Sequence, residues 1–282
     1  MDAPEEPHGI VVGYDGSADA DEAARWAAGT ALLRGEPLRV AIVSDPMDSP
    51  RRPGVPESWW AEREASARQV LDAAGASDAT IERHAGALVP TLVNTSIGSA
   101  MLVLGSQGHS RVGEVILGSV SQSAARRAHS PVVVVRQASA SDTRRVVVGV
   151  DGSEPSQRAI DFACRQAGFT GQEVVLIRAW KPPATVPVDT RGHIPGSISS
   201  TLLTGEEALA KTVAETRHRF PELTIEGELI ATEEGQALED ASRTAAMVVV
   251  GSRGRGALAA TVLGSVSQHV LHRAHCPVTV IR

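Results

Sequence analysis

Two stretches of this chain repeat one another in register: GSQGHSRVGEVILGSVSQSA at residues 105–124 and GSRGRGALAATVLGSVSQHV at residues 251–270. In each, a glycine is followed three residues later by a second glycine and then, after nine intervening residues, by Gly-Ser: Gly105, Gly108 and Gly118-Ser119, against Gly251, Gly254 and Gly264-Ser265. A second matching pair lies nearer the start of each copy, VVGYDGS at 11–17 and VVGVDGS at 147–153. The chain is an internal duplication, so any fold proposed for it must be one unit built twice. Its 282 residues divide into two copies, each long enough to bury a core of its own. The expected domains are residues 1–138 and 143–282, joined through the small, polar stretch QASASDTRR at 137–145.

Each copy alternates strand and helix. IVVGYD (10–15) is a β-branched run ended by Asp-Gly-Ser, and from Ala18 to Arg34 the residues Ala23, Trp26, Ala27 and Ala31 fall at helical spacing. LRVAIVS (38–44) predicts a second strand, 59–74 a second helix and TIERHAG (80–86) a weaker strand. Pro90 opens a short helix, and MLVLG (101–105) is an apolar strand leading into the glycine loop. A helix after Ser119 and PVVVVR (131–136) close the copy. The second copy follows the same order, with EVVLIRAW as its second strand, a helix through 205–219 and PVTVIR at its end. Strands apolar throughout and joined by helices indicate parallel sheets covered on both faces, and right-handed crossovers make each copy a doubly wound, Rossmann-like α/β sheet. The strands PVVVVR and PVTVIR fall at sheet edges, and the expectation is that they pair with one another in a pseudo-twofold molecule, with a homodimer as a further possibility.

Composition excludes several function classes. A formal charge of −6, with Lys181 and Lys211 as the only lysines, leaves no basic footprint for nucleic acid. The acidic start MDAPEEPHG lacks the apolar core of a secretory signal, and runs such as VVVV at 132–135 are too short to cross a bilayer. Cys164 and Cys276 make neither a disulfide framework nor a Cys-rich metal site, so a reducing cytoplasm is the expected location.

The glycine loops carry the chemistry. Ligands of open α/β sheets bind beyond the carboxyl ends of the strands. Glycines there let backbone N–H groups approach a ligand, and a helix N-terminus adds unpaired donors and partial positive charge that favour phosphate. Gly118-Ser119-Val120-Ser121 and Gly264-Ser265-Val266-Ser267 stand at such starts, where the serine hydroxyls can cap the helix or donate to phosphate oxygen. Neither loop is a Walker A motif, because neither contains lysine, and the fragment Gly254-Arg255-Gly256 is not on a first strand as a dinucleotide fingerprint requires.

The pattern G-x2-G-x9-G-S after an apolar strand, present twice, with V-G-x-D-G-S closing the first strand, resembles the universal stress protein family in its tandem form. The resemblance covers nearly the whole chain and implies five-stranded parallel sheets of order 3-2-1-4-5 and an ATP-binding branch, with or without Mg. Carried over by position, it implies that Gly105, Gly108, Gly118 and Ser119, and likewise Gly251, Gly254, Gly264 and Ser265, hold phosphates and ribose; beside them Val120, Ser121, Val266 and Ser267 at the helix starts and Arg253 in the loop are further candidate contacts. It places Asp15 and Asp151 near the nucleotide, with Gly13, Tyr14, Gly149 and Val150 along the adenine. An Asx turn before Gly-Ser is the alternative role for the two aspartates. At the end of the second strand Ala179 would flank the base, and Asp45 stands there in the first copy; a carboxylate in that place predicts a weaker first site.

Phosphoryl transfer needs an oriented nucleophile, neutralising charge and a held metal. Arg111, Arg253 and Arg255 offer charge, His109 reads as a solvated loop residue, and one aspartate per copy is a poor metal cage. The expected function is therefore a nucleotide-binding regulator acting on an unknown protein partner, with slow ATP turnover incidental and no catalytic residue or metal ligand assigned. Two alternatives remain open: a nucleotide-using transferase with its substrate under the Pro/Gly/Ser-rich region 181–203, and an interaction module whose sites are relics. That region is itself either a flap or an insertion.

Overall fold

In a computed structural model, residues 8–45, 55–108, 117–136, 144–180, 196–254 and 262–282 are described, the stretch 196–203 by its backbone alone. The first copy runs β1 (Ile10–Gly13), α1 (Ala18–Arg34), β2 (Leu38–Ser44), α2 (Glu57–Ala73), β3 (Thr80–Ala85), α3 (Leu88–Thr95), β4 (Met101–Gly105), α4 (Ser119–Arg127) and β5 (Val132–Val135). The second runs β6 (Arg145–Gly149), α5 (Glu154–Thr170), β7 (Glu173–Ala179), α6 (Gly196–Arg219), β8 (Ile225–Ile230), α7 (Glu234–Ser242), β9 (Met247–Gly251), α8 (Ser265–Arg273) and β10 (Val278–Ile281).

Local chemistry sets these limits. The Ser17 hydroxyl accepts the Ala20 N–H at the start of α1, and Ser153 accepts that of Ser156 at the start of α5. Both helices end on glycines in the left-handed conformation, Gly35 and Gly171. Three helices begin earlier than the sequence predicts, α2 by two residues, at Glu57 rather than at 59. Helix α3 starts at Leu88 because the Asp45 carboxylate accepts the Leu88 N–H at 3.2 Å, a cap supplied from far along the chain, and Pro90 is tolerated within the first turn. Helix α6 starts at Gly196 rather than at 205, so the C-terminal part of region 181–203 is helical; residues 181–195 lie outside the described residues.

The strands form one ten-stranded sheet of order β3-β2-β1-β4-β5-β10-β9-β6-β7-β8, which is the order 3-2-1-4-5 twice, the second time reversed. Pairing is parallel within each copy and antiparallel where β5 meets β10. There Val133 lies opposite Thr279, its counterpart in the repeat, so an approximate twofold axis passes between them and the expected strand pairing is present. Alternate strand residues face opposite layers: Ile10 and Val12 belong to the apolar layer that includes α1, α2, α5 and α6, and Val11 to the one that includes α3, α4, α7 and α8. This double covering is why the central strands read as unbroken apolar runs.

Side chains also join the copies. Arg34, at the end of α1, donates to Gln166 Oε1 at 3.2 Å and lies over the Phe169 ring at 4.7 Å. Arg136, just after β5, donates to the Leu271 and His272 carbonyls at the C-terminus of α8.

Candidate functional site

The carboxyl end of the first strand of each copy is built the same way. Backbone turns sharply at Gly16 (φ 87°) and Gly152 (φ 80°), positions in the left-handed region that favours glycine. The preceding aspartate holds each turn: Asp15 Oδ1 accepts the Ser17 N–H at 2.9 Å, and Asp151 Oδ1 accepts the Ser153 N–H at 2.9 Å and its hydroxyl at 2.7 Å. The Asx-turn role is therefore occupied, and it leaves the second carboxylate oxygen facing the glycine loop. A Cβ added at Gly108 would lie 2.9 Å from Asp15 Oδ2, and one at Gly254 2.7 Å from Asp151 Oδ2. The middle glycine of each motif is required by this close approach.

The remaining glycines have other tasks. A Cβ at Gly105 would sit 2.7 Å from the Asp19 carbonyl carbon, and one at Gly251 2.9 Å from that of Pro155, so these residues let the first turn of α1 or α5 rest on the strand end. Gly13 and Gly149 lie beneath leucines in the same way, 2.6 Å from Leu104 and 2.7 Å from Leu238 for an added Cβ. Gly118 and Gly264 are N-caps in extended conformation, and their N–H groups donate to the Ser106 and Ser252 carbonyls at 2.7 and 2.8 Å. Those two N–H groups are thus unavailable to a phosphate, contrary to the simplest expectation. The donors that remain belong to the first turn, Ser119, Val120 and Ser121 or Ser265, Val266 and Ser267, because the first intrahelical bonds run from Gln122 to Gly118 and from Gln268 to Gly264.

The serine hydroxyls divide likewise. Ser121 donates to the Gly105 carbonyl at 2.6 Å and Ser267 to the Ser252 carbonyl at 3.1 Å; both are buried and tie the helix to the strand end. Ser119 and Ser265 are exposed at the first helical position.

In the second copy these parts surround a cavity of about 560 Å³. Every second-copy residue expected at the site lines it: Gly149, Val150, Asp151, Ala179, Gly251, Arg253, Gly254, Gly264, Ser265, Val266 and Ser267. Ile177, Leu238 and Val250, which the sequence did not single out, form its apolar wall, and Ser156 and Glu234 add polar groups. Glu234 is the first residue of α7, and nothing in its local sequence signals that this helix start reaches the cavity.

The first copy brings Gly13, Asp15, Gly105, Gly108, Gly118, Ser119, Val120 and Ser121 into the corresponding relation. Tyr14 enters only through its main chain, since its ring is buried toward α1 and α2, where its hydroxyl donates to Asp21 at 2.6 Å and pairs with Ser66 at 2.8 Å. Burial, and next the bond to Asp21, pushes that phenol above its ordinary range. The residue expected to weaken this site is not where position alone put it. Strand register pairs Gly13 with Ala41 and Gly149 with Ile177, which makes Val43 the counterpart of Ala179. Asp45 lies two residues further on and turns its carboxylate to the start of α3. His109, Arg111 and Arg255 lie outside the described residues. Among the described residues no cluster of three His, Cys, Asp or Glu side chains is placed to hold a metal, and no helix is long and apolar enough to cross a membrane.

Comparison with known proteins agrees with this architecture. The sequence model of the Universal stress protein family matches residues 8–136 and again 142–282. The universal stress protein Rv2005c of Mycobacterium tuberculosis is 36% identical over 300 aligned positions, covering 100% of this chain and 99% of that one. A universal stress protein of Mycolicibacterium smegmatis is 31% identical over 290 positions, covering 98% and 97%. Among solved structures, a universal stress protein from Archaeoglobus fulgidus superposes with a TM-score of 0.67 at 21% identity, covering 99% of each chain.

Proposed function

This chain belongs to the universal stress protein family, and from that premise we propose that it binds adenine nucleotides, ATP foremost, and acts as a regulator whose conformation or partner binding follows the bound nucleotide. The observation that carries the reading is the second-copy cavity, whose apolar wall of Ile177, Leu238 and Val250 suits a base and whose edge at the first turn of α8 offers N–H donors suited to phosphate. The conformation of Gly264 supports it. Its φ of −64° is open to any residue, and an added Cβ would meet the protein at 3.5 Å or more, so the protein's own packing does not demand glycine there. A phosphate approaching the helix start does demand it. Arg253 supplies positive charge at the wall, and Mg can accompany the nucleotide with ligands from its phosphates.

The reading assigns no catalytic residue, and the protein partner is engaged by whichever surface the nucleotide alters. We place the protein in the cytoplasm. Both cysteine thiols are pushed up to about 12, chiefly by burial, so neither is a ready thiolate for redox chemistry. The test is isothermal titration of ATP into the protein and into Gly264→Val. Losing one or two charge-assisted contacts lowers second-site affinity about tenfold or more while the fold survives. Unchanged ATP binding by folded Gly264→Val refutes the site.

A further inference from the structure

The duplication allows the two loops to be compared atom by atom. At the end of β4 the Ser106 hydroxyl donates to Asp19 Oδ2 at 2.6 Å, and the Gln107 N–H donates to the same oxygen at 2.9 Å. Asp19 is the second residue of α1, and the second residue of α5 is Pro155, which has no acceptor on its side chain. The counterparts of the two donors are the Ser252 hydroxyl and the Arg253 N–H. Ser252 is 3% exposed, and its hydroxyl oxygen has no hydrogen-bond partner among the described residues. Arg253 lines the cavity with Asp151 and with Ser156, the third residue of α5, so the cavity reaches the first turn of that helix; Ser252 stands between the lining residues Gly251 and Arg253 and is not itself on the cavity wall.

We propose that this corner of the second copy receives an anionic oxygen of the terminal phosphate of the nucleotide in the cavity, in the place where the first copy holds its own carboxylate, Asp19. The inference rests on the nucleotide reading above and adds what each copy distinguishes. A carboxylate oxygen and a phosphoryl oxygen are equivalent acceptors for a hydroxyl and an amide N–H. Both are favoured by the partial positive charge at a helix N-terminus, which α1 and α5 each present. Asp19 satisfies the corner internally, so the first copy gains nothing there from a longer phosphate chain. The second copy has a buried hydroxyl, a main-chain donor and no internal acid in that place, so each further phosphate that reaches the corner strengthens binding. The second copy therefore separates ATP from AMP, and the first does not.

The experiment exchanges the two residues. Asp occupies this helix position in the first copy and Pro in the second, so each copy shows that the fold accepts the substitution made in the other. Pro155→Asp is made in a Gly118→Val background, which silences the first loop, and titrated with ATP, AMP and pyrophosphate. The expected result is a fall of about tenfold or more in ATP affinity, the loss of one charge-assisted contact, with AMP affinity unchanged. The reverse variant, Asp19→Pro with Gly264→Val, should raise the preference of the first copy for ATP over AMP. Unchanged ATP affinity in Pro155→Asp, or an equal fall for ATP and AMP, overturns the proposal while leaving the nucleotide site intact. If neither nucleotide binds the parent protein, the nucleotide reading fails and pyrophosphate decides the corner: binding that Pro155→Asp weakens supports an anion site there, and no binding, or no change, ends it.

Discussion

Gly251 and Gly264 occupy one motif, and the structure gives them opposite sensitivities. An added methyl group at Gly251 collides with the Pro155 backbone at 2.9 Å, whereas at Gly264 it makes ordinary contacts. Gly251→Ala should therefore lose stability, by about 1–3 kcal/mol for overpacking against a backbone that cannot yield. Gly264→Ala should keep its stability to within about 1 kcal/mol, the scale of an N-cap change, and lose ATP affinity instead. Urea unfolding and calorimetric titration of both variants separate the two effects, and equal destabilisation of both would contradict this division. The spacing of the glycines was legible in the sequence, and with it most of the residues that line the second-copy cavity. What approaches each glycine was not. A pattern records that a Cβ is excluded without saying whether a helix turn, a carboxylate or a ligand excludes it, and the N–H groups of Gly118 and Gly264 proved to be engaged by Ser106 and Ser252.

Strands and helices were legible wherever a burial pattern repeated within the element, as in β2, β4 and α1. They were less so where an end is set by a distant partner. Asp45 follows β2 directly and the sequence alone sets it against Ala179, yet the hydrogen-bond register puts Val43 in that place. Register depends on pairing with β1 and β6, which no single strand encodes. Since Asp45 caps α3, Asp45→Ala should cost about 1 kcal/mol and leave ATP affinity unchanged; a gain in affinity would return the residue to the site. Helix α8 has a similar dependence at its other end. There His272 is held below the ordinary histidine range by burial and then by Arg136, whose guanidinium donates to the last carbonyls of the helix. A histidine that is harder to protonate in the folded state contributes stability above its unfolded pKa of about 6.5, and that contribution is lost as the pH falls below it. His272→Gln should narrow the difference between urea midpoints measured at neutral and mildly acidic pH, and an unaltered difference would show that the slope arises elsewhere.

Among the described residues the sheet is closed at its centre and has its edges at β3 and β8. Cutting the chain between its copies would bare β5 on one piece and β10 on the other, each a short strand whose side chains are buried on both faces. An exposed edge of this kind is a template for pairing, and the partner that fits is already specified. Val132 and Val134 pair with Val280 and Val278, Arg34 finds Gln166 and Phe169, and Arg136 finds the carbonyls that end α8. Backbone pairing alone would also allow either piece to dimerise with itself through the same twofold arrangement. The side-chain contacts favour the mixed pair, because Arg34 corresponds to Thr170, which has no charge to place over a ring. The pieces 1–138 and 143–282, expressed separately and mixed, should therefore assemble as a one-to-one complex in preference to either homodimer, and native mass spectrometry reads the ratio directly. Arg34→Ala should shift the mixture toward the statistical proportion of homodimers and mixed dimers. Pieces that remain monomeric would mean that the β5–β10 seam needs the covalent link, and a statistical mixture from the unaltered pieces would mean that strand pairing alone selects the partner.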